Sequence, residues 1–436
     1  MVDQQTPTGT PAPRRFAALR NRHSRPYLFT AGLSMMGDNN EHVITYWVLW
    51  EQFHSPALVG FQVVSHWLPF LLLSFWFGAL AERFDCRRVI QISQGLFLFV
   101  SLMWGVLFLT DSLQMWQACV LLVLHGMAGA MWGPAEQLML HDFVERKDLP
   151  SAVRLNATFR SAGVLCGPIV GSALLLVLGP AWGILANTVF YLPTILLMAR
   201  VPFTGHTREG GGKPKVTIVD SIRVLRDVRS NRVLLSMIIL SGMTALTVGG
   251  AIQPSMPTFA AGLGVGAAGV AYGALLFANG AGGVLGGFLL EVTGAIRPNK
   301  TWAVISAIAF GLTTFVFATT GHYPLALLAL VVGGVANMAS MSINQSIVQL
   351  EAPPGDRGRV FGVFGMFSSG LRVGNGVTLS LLGSAIGVAA AVSLAAVVLV
   401  VCAIVVGVYV HLPPKAPGGR RNAATVSPAR DSPPGR

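Results

Sequence analysis

The chain has 436 residues, of which 53% are hydrophobic and only 11% are charged. Soluble domains carry roughly 25% charged residues, so this composition excludes an ordinary soluble protein. The formal net charge of +12 would favour a nucleic-acid partner in a soluble protein, but in a membrane protein it is the placement of the basic residues that matters. The composition therefore predicts an all-α polytopic membrane protein whose surroundings are a lipid bilayer and whose partners include no nucleic acid.

Twelve apolar stretches are long enough to cross a bilayer, which takes about 20 residues of helix. They are predicted at 27–50, 57–81, 89–110, 114–140, 157–178, 182–200, 232–256, 266–290, 301–320, 324–348, 360–383 and 386–411. The segment 78–88, where charge first follows the second span, has a fainter copy at 287–297, which begins 209 residues later. The sequence thus predicts twelve transmembrane helices in two pseudo-twofold six-helix bundles.

The basic residues orient these spans. Of the 30 Lys and Arg residues, all but Arg160 and Arg372 fall in the tails, in the even-numbered connections or, as Arg200 and Arg232 do, at the end of a span that borders such a connection. By the positive-inside rule, both termini are expected on the cytoplasmic side of the cell (inner) membrane. The expected order is a disordered basic tail, a first bundle, a cytoplasmic linker, a second bundle and a disordered tail, at 1–25, 26–200, 201–231, 232–411 and 412–436.

The linker contains a basic amphipathic pattern. Ile218, Ile222 and Leu225 alternate with arginines at the spacing of one helix face. Such a pattern predicts a helix lying on the membrane surface.

The first span holds the most polar passage inside any predicted crossing, from Ser34 to His42. A carboxylate near the middle of the bilayer costs about 2.5–3.5 kcal/mol, so Asp38 and Glu41 must face protein or water. At helical spacing both lie on one broad face with His42, next to Asn39. Two interpretations remain open. These groups hydrogen-bond neighbouring helices, or they line a cavity in which the repulsion between the acids keeps one of them protonated.

Three further polar groups lie inside apolar spans. Gln62 and His66 are one turn apart in the second span and are candidates for the transport pathway, although a single histidine in such a helix is more often a packing residue. Arg372 lies about 18 Å deep at 1.5 Å per residue. It is either a functional charge or a side chain that snorkels to the interface. Arg160 is expected to snorkel, and Glu136 to belong to a solvated loop.

Two motifs resemble those of the major facilitator superfamily. The segment after the second span resembles the family signature G-x-L-A-D-R-x-G-R-R, carried here by Gly78, Leu80, Ala81, Glu82, Arg83, Arg87 and Arg88. A run in the fifth span is similar to the motif of the family's exporters, with Gly163, Gly167, Pro168 and Gly171. The surroundings of Asp38 and the loop after the second span are most similar to the enterobactin-exporter and drug-efflux branch. Glu82 stands where the family usually has Asp, and Cys86 where a basic residue is common.

The resemblance implies a secondary active transporter that works by alternating access, with Glu82 and its neighbouring arginines as a cytoplasmic gate. It also implies an organic small molecule as substrate and protons as coupling ions. Because the family's helix-four arginine has no counterpart here, coupling is assigned to Asp38 and Glu41. We expect a monomeric antiporter that effluxes an amphipathic compound, with an importer or a gradient-independent lipid or lysolipid flippase as the alternative.

Other classes of membrane protein lack support in the sequence. An enzyme needs clustered catalytic groups near a membrane face, a channel needs a filter or charged ring, and a pump needs an intact nucleotide-binding loop. The four cysteines are scattered singly, which predicts neither disulfides nor a metal site. No cofactor is expected.

Overall fold

The computed structural model describes residues 15–207, 218–249, 252–264, 270–293, 298–353 and 355–412. These residues form helices and their connections. In chain order the helices are α1 (Ala17–Arg20), α2 (Ser24–Phe53), α3 (Pro56–Arg83), α4 (Cys86–Leu109), α5 (Met115–Phe143), α6 (Leu149–Asn187), α7 (Leu192–Arg200), α8 (Ile218–Ser230), α9 (Arg232–Thr247), α10 (Ile252–Gly262), α11 (Val270–Thr293), α12 (Lys300–Thr319), α13 (Tyr323–Glu351), α14 (Arg357–Gly365), α15 (Arg372–Ile386) and α16 (Val388–His411).

The described helices account for twelve crossings because several crossings are made of more than one helix. Within the described residues, eight helical segments are long and apolar enough to span a membrane, and one of them covers both α6 and α7. That segment turns at Gly179, whose φ of 74° suits glycine, so it supplies the fifth and sixth crossings. The seventh crossing consists of α9 and α10, and the eleventh of α14, a π-helical turn at Met366–Gly370 and α15. The first crossing is α2, which is 30 residues long. It is not among the eight apolar segments because it carries the polar passage.

The start of the chain differs from the prediction of a disordered tail. The described part of that tail, from residue 15, is folded: α1 packs against α6, and its residues Ala17 and Ala18 are buried. The Asn21 side chain donates a hydrogen bond to the backbone carbonyl of Phe143 at 2.9 Å. The segments 1–14 and 413–436 of the two predicted tails lie outside the described residues.

The linker helix α8 buries two valines against the protein, and the orientation of its apolar face toward the membrane surface stays a prediction. In α8 it is Val224 and Val228 that are buried, whereas Leu225 is 49% exposed. The side chains of Ile218 and Ile222 lie outside the described part. The described end of α8 is bent by 97° from α9, so α8 runs across the end of the second bundle.

Each half is built on long helix pairs, and the halves pack against each other most extensively at two helix crossings. In the first half α2 packs along α6 and α3 along α5, and in the second half α13 packs against α11 and α12. The halves meet where α3 crosses α14 and where α6 crosses α11. Both crossings depend on glycine. A Cβ on Gly78 would lie 2.2 Å from the Gly358 carbonyl oxygen, and one on Gly287 would lie 1.9 Å from Thr158 Oγ1. The two copies of the 78–88 segment therefore occupy equivalent positions.

The exporter-type motif places α6 against the polar passage of α2. A Cβ on Gly163 would lie 2.4 Å from the Gly32 carbonyl oxygen, and one on Gly167 would lie 2.5 Å from Asn39 Cβ. One on Gly171 would lie 2.9 Å from Asn40 Cα. Pro168 lies inside α6, beside the second of these glycines. The glycines thus let two helix backbones approach closely, which is how small residues act in membrane helices.

Replacing Gly163 by Ala is expected to destabilise the first half. The added methyl must displace backbone atoms of α2, and overpacking of this kind costs about 1–3 kcal/mol. Gly133→Ala is the matched control, because a Cβ at that position meets nothing within 4 Å. Thermal unfolding in detergent should show a lower Tm for Gly163→Ala only. Equal Tm values would contradict the close packing.

Candidate functional site

A buried histidine lies between the two acids of α2. The Nε2 atom of His125, on α5, is 2.6 Å from Asp38 Oδ1, and its Nδ1 atom is 2.9 Å from Glu41 Oε1. Ser101 of α4 donates a hydrogen bond to Glu41 Oε2. Asp38, Glu41 and His125 are 7%, 2% and 3% exposed, so neither carboxylate faces lipid. His125 was not among the predicted site residues, because one histidine in an apolar, glycine-rich helix gives no periodic signal.

Local sequence explains how α5 brings this histidine to the acids. Gly126 follows His125 directly, and a Cβ there would lie 2.2 Å from the Ser65 carbonyl oxygen of α3. The absence of a side chain therefore lets α5 and α3 pack closely. Asn39 donates to the Met35 carbonyl at 2.8 Å and to Asp38 Oδ2 at 3.4 Å, so it supports the acid from its own helix.

Two more histidines complete the cluster. The ring centroid of His42 lies 4.8 Å from that of His66 and 4.9 Å from that of His125. One ligating atom from each of Asp38, His42, His66 and His125 lies within 4.8 Å of the others. The Nδ1 atom of His66 is buried, with no hydrogen-bond partner among the described residues. The scattered single cysteines predict no metal site, and the sequence alone does not show that three helices bring these groups together.

The cluster is continuous with Arg372 of the second half. The Arg372 guanidinium lies 4.6 Å from the centroid of the Trp67 ring, and Trp67 contacts His66 with centroids 4.5 Å apart. Gln62 is buried one turn before His66. A line of contacts therefore runs from Arg372 across the boundary between the halves to the acids of α2.

Arg372 also lines a small polar cavity in the second half. The cavity has a volume of about 40 Å³, and its polar lining comprises Ser241, Thr244, Asn337, Ser340, Asn344, Gln345, Ser368 and Arg372. The Nε atom of Arg372 is buried without a hydrogen-bond partner in the described structure. The π-helical turn ends two residues before Arg372, and such turns are frequent at functional sites. The side chain points toward an aromatic ring and a cavity, which favours the functional interpretation of Arg372 over snorkelling.

A second group of charges joins the halves at the end of α3. Glu82 Oε2 lies 2.6 Å from Arg359 Nε of α14, and Glu82 Oε1 accepts from the Arg359 backbone N–H at 2.8 Å. Both side chains are almost fully buried. In this structure the predicted gate arginines make other contacts. Arg87 pairs with Asp85, Arg88 donates a hydrogen bond to Gln91, and the Arg83 guanidinium lies over the Phe84 ring. All three partners are near Glu82 in the sequence.

The segment 287–297, the fainter copy of 78–88, also joins the halves by an ion pair. Here the acid belongs to the second half and the arginine to the first. Glu291, at the end of α11, lies 2.9 Å from Arg154 at the start of α6. It also accepts hydrogen bonds from the Ser151 hydroxyl and from the backbone N–H of Phe16, the latter at 2.7 Å. No role was predicted for Glu291 and its partners, although the repeat of the 78–88 segment 209 residues later was a signal for it. Arg297 of the copy lies outside the described residues.

Two predictions about charged residues near this end were wrong. Glu136 is only 2% exposed and pairs with Arg160 at 3.0 Å. The Tyr27 hydroxyl donates to Glu136 at 3.1 Å, and the Arg160 guanidinium lies 4.4 Å from the Trp132 ring centroid. Glu136 is therefore not in a solvated loop, and Arg160 does not snorkel to the interface. The ion pair compensates the buried charge of Glu136, whereas the Arg160 side chain is 29% exposed.

Similar proteins were found by sequence and by structure. The staphyloferrin A transporter of Staphylococcus aureus (strain NCTC 8325 / PS 47) is 22% identical over 179 residues, which are 41% of this chain and 45% of that relative. The proton:xylose symporter XylE has a TM-score of 0.70 at 14% identity, covering 88% of this chain and 95% of the other. The E. coli fucose:proton symporter FucP has a TM-score of 0.68 at 14% identity, with 91% and 98% covered.

A third solved structure has the same fold. The human organic anion transporter MFSD10 (TETRAN) has a TM-score of 0.66 at 12% identity, covering 88% of this chain and 99% of that one. At such identities these structures establish the fold alone. The family assignment comes from the sequence, because residues 27–374 match the Major Facilitator Superfamily. The chain therefore belongs to the Major Facilitator Superfamily and is a multi-pass membrane transporter rather than an enzyme.

Proposed function

We propose that this transporter exports an amphipathic organic compound, siderophore-like or drug-like, in exchange for protons across the cell membrane. The observation that carries the proposal is the buried Asp38–His125–Glu41 cluster and its line of contacts to Arg372. This arrangement connects groups that can take up protons in one half with Arg372, which has no ion-pair partner among the described residues and lies beside a cavity in the other half.

Proton coupling follows from the cost of charge in this cluster. With His125 protonated and both acids ionised, the three groups carry one net negative charge in a buried site. Uncompensated buried charge is expensive, so gaining or losing a proton changes which packing of the surrounding helices is favoured. A ligand shifts a conformational equilibrium only through such differential stabilisation. Protons bound here and substrate bound between the halves would then act on the same opening equilibrium.

The second half offers chemistry for an oxygen-rich or anionic substrate. Arg372 contributes a positive charge, and the amides and hydroxyls of the cavity wall can donate and accept hydrogen bonds. A volume of about 40 Å³ holds only a few water molecules, so the halves must separate before an organic compound can enter. The sequence similarity to the staphyloferrin A transporter supports a siderophore-like substrate, and the alignment covers 45% of that protein.

The gate supports alternating access. The Glu82–Arg359 and Glu291–Arg154 pairs join the halves at one end, where the even-numbered connections lie. The positive-inside rule places that end in the cytoplasm. In the proposed mechanism, the arrangement with both pairs formed is the state closed toward the cytoplasm. Opening toward the cytoplasm requires both pairs to separate and the halves to rock about the central cavity.

The first test is transport itself. A deletion strain is screened for sensitivity to siderophores and amphipathic drugs, or for their retention, beginning with staphyloferrin A. The best compound is then assayed in proteoliposomes with and without an imposed pH gradient. Export predicts uptake into inside-out vesicles that requires an acidic interior. Movement of the compound in the direction of the protons would establish an importer, and lipid movement without a gradient would establish a flippase.

Replacing Arg372 by Gln is expected to weaken substrate binding. A hydrogen bond to a charged group contributes about 1.5–3 kcal/mol, so KM should rise about ten- to a hundredfold. Arg372→Lys keeps the charge and should lose less. Arg226→Gln, an exposed position on α8, is the matched control and should leave KM unchanged. An unchanged KM in Arg372→Gln would remove this residue from the substrate site.

A further inference from the structure

We propose that Asp38, His42, His66 and His125 form a binding site for a divalent transition-metal cation, of which Zn²⁺ is the representative. The site is supplied by α2, α3 and α5 of the first half. This inference does not depend on the direction of transport, on proton coupling or on the identity of the organic substrate.

The positions of the donor atoms carry the proposal. Zinc binds histidine nitrogen and carboxylate oxygen at about 2.0–2.2 Å, so in a tetrahedral site the donors lie roughly 3.3–3.6 Å apart. The four donor atoms here lie within 4.8 Å of one another, and Asp38 Oδ1 and His125 Nε2, now 2.6 Å apart in a hydrogen bond, would move apart to admit the ion. Side-chain adjustments of about an ångström would bring them to equal distances around one ion. Asp38 and His42 are one turn apart on α2, so both point to the same side of that helix.

Neighbouring groups hold the histidines ready to bind a metal. Glu41 accepts from the Nδ1 side of His125, which leaves Nε2 directed at the cluster. Metal-binding histidines commonly have such a carboxylate partner, which fixes their tautomer and orientation. Ser101 in turn holds Glu41. Independently, the Nδ1 atom of His66 is buried without a partner among the described residues, and a metal ion would satisfy it.

Charge balance favours a divalent ion. With neutral imidazoles, the charges of Asp38 and Glu41 together cancel those of one divalent cation. A neutral cluster avoids the cost of an uncompensated charge inside the membrane. Three imidazole nitrogens and one carboxylate oxygen suit zinc, copper, nickel or iron, whereas magnesium and calcium prefer sites made of oxygen atoms.

Metal and proton would compete at His125. The ion must take the position between Nε2 of His125 and Asp38 Oδ1, where a hydrogen bond now joins them. Metal binding therefore requires Nε2 to be deprotonated and releases a proton when the imidazole is charged. The competition predicts that the metal Kd rises as the pH falls.

Cobalt binding to the purified, tag-free protein in lipid nanodiscs tests the site. Co²⁺ is expected to bind at one ion per chain, with the visible absorption of four-coordinate cobalt, and Zn²⁺ should displace it while Mg²⁺ does not. His66→Ala and His42→Ala should each raise the Kd by at least about a hundredfold. Glu41→Gln should raise it about ten- to a hundredfold, as expected for a partner of a metal ligand. His322→Ala, an exposed position at the start of α13, should bind as the wild type does.

Folding of each variant is checked by size-exclusion chromatography and by melting, with His66→Gln as a second variant of similar size. Absence of stoichiometric binding to the wild type would overturn the proposal, and so would an unchanged Kd in the folded His66 and His42 variants. Because the assay uses neither substrate nor gradient, its failure leaves the proposed transport function standing. Equally, a failure of proton-driven export would leave metal binding standing.

Discussion

Asp38→Asn is expected to abolish proton-driven accumulation of substrate. In a one-for-one exchange, a pH difference of about one unit supports a roughly tenfold concentration gradient, because each factor of ten is about 1.4 kcal/mol. Asn keeps the size of the side chain but cannot take up a proton at the position beside His125. The ratio of internal to external substrate in proteoliposomes should therefore fall from about ten to about one.

The control for this experiment is Asp111→Asn. Asp111 lies in an exposed connection with a φ of 48°, a conformation that Asn tolerates well. The Asp111→Asn variant should accumulate substrate as the wild type does. If folded Asp38→Asn protein accumulated substrate normally, Asp38 would have no part in coupling.

Glu82→Gln is expected to open the cytoplasmic gate. Removing one partner of a buried ion pair costs about 3–5 kcal/mol, although Gln can still accept the hydrogen bond from the Arg359 backbone. An effective loss of about 1.4 kcal/mol already shifts the opening equilibrium about tenfold. Gln349 reports this opening, because it is 1% exposed and its side chain bonds Gln137 of the first half. In a cysteine-free background, Gln349→Cys should react with a water-soluble maleimide about tenfold faster when Glu82 is Gln.

A neighbouring ion pair provides the matched control for the gate. Glu145 and Lys147 pair in the connection between α5 and α6, but both side chains are 59% exposed. Exposed pairs contribute about 0–1 kcal/mol, so Glu145→Gln should leave the reaction rate nearly unchanged. Equal rates in the two variants would show that the Glu82 pair does not hold the halves together.

The same helices carry the site and the gate, which gives the coupling a physical path. On α3, His66 lies 16 positions before Glu82, or about 24 Å at 1.5 Å per residue. On α6, Arg154 belongs to the second ion pair, and the glycines that follow pack directly on α2 beside Asn39. A change of packing around Asp38 can therefore move α3 and α6, which carry Glu82 and Arg154 of the two ion pairs, as rigid elements.

The sequence predicted the features that depend on local composition. The helical class and the two related halves follow from hydropathy and from the repeated segment, and the family assignment confirms the fold. The free-energy cost of placing Asp38 and Glu41 in a membrane could also be predicted, since it depends only on the side chain and its place in an apolar span. The roles assigned to these acids remain predictions.

Partner residues were not predictable in the same way. His125 and Arg359 approach the acids only through tertiary packing, at sequence separations of 87 and 277 residues from Asp38 and Glu82 respectively. Glu136 was misplaced for a related reason. A charge near the end of an apolar helix looks solvated in sequence, and only the positions of Arg160 and Tyr27 show that it is buried.

Simultaneous measurement of proton and substrate flux tests the central claim most directly. Vesicles containing a pH-sensitive dye receive the substrate found in the screen, with no pH gradient imposed, and wild type is compared with Asp38→Asn. The account predicts that substrate movement drives protons in the opposite direction in wild type and drives none in the variant. Substrate movement in wild type without any change of internal pH would contradict it.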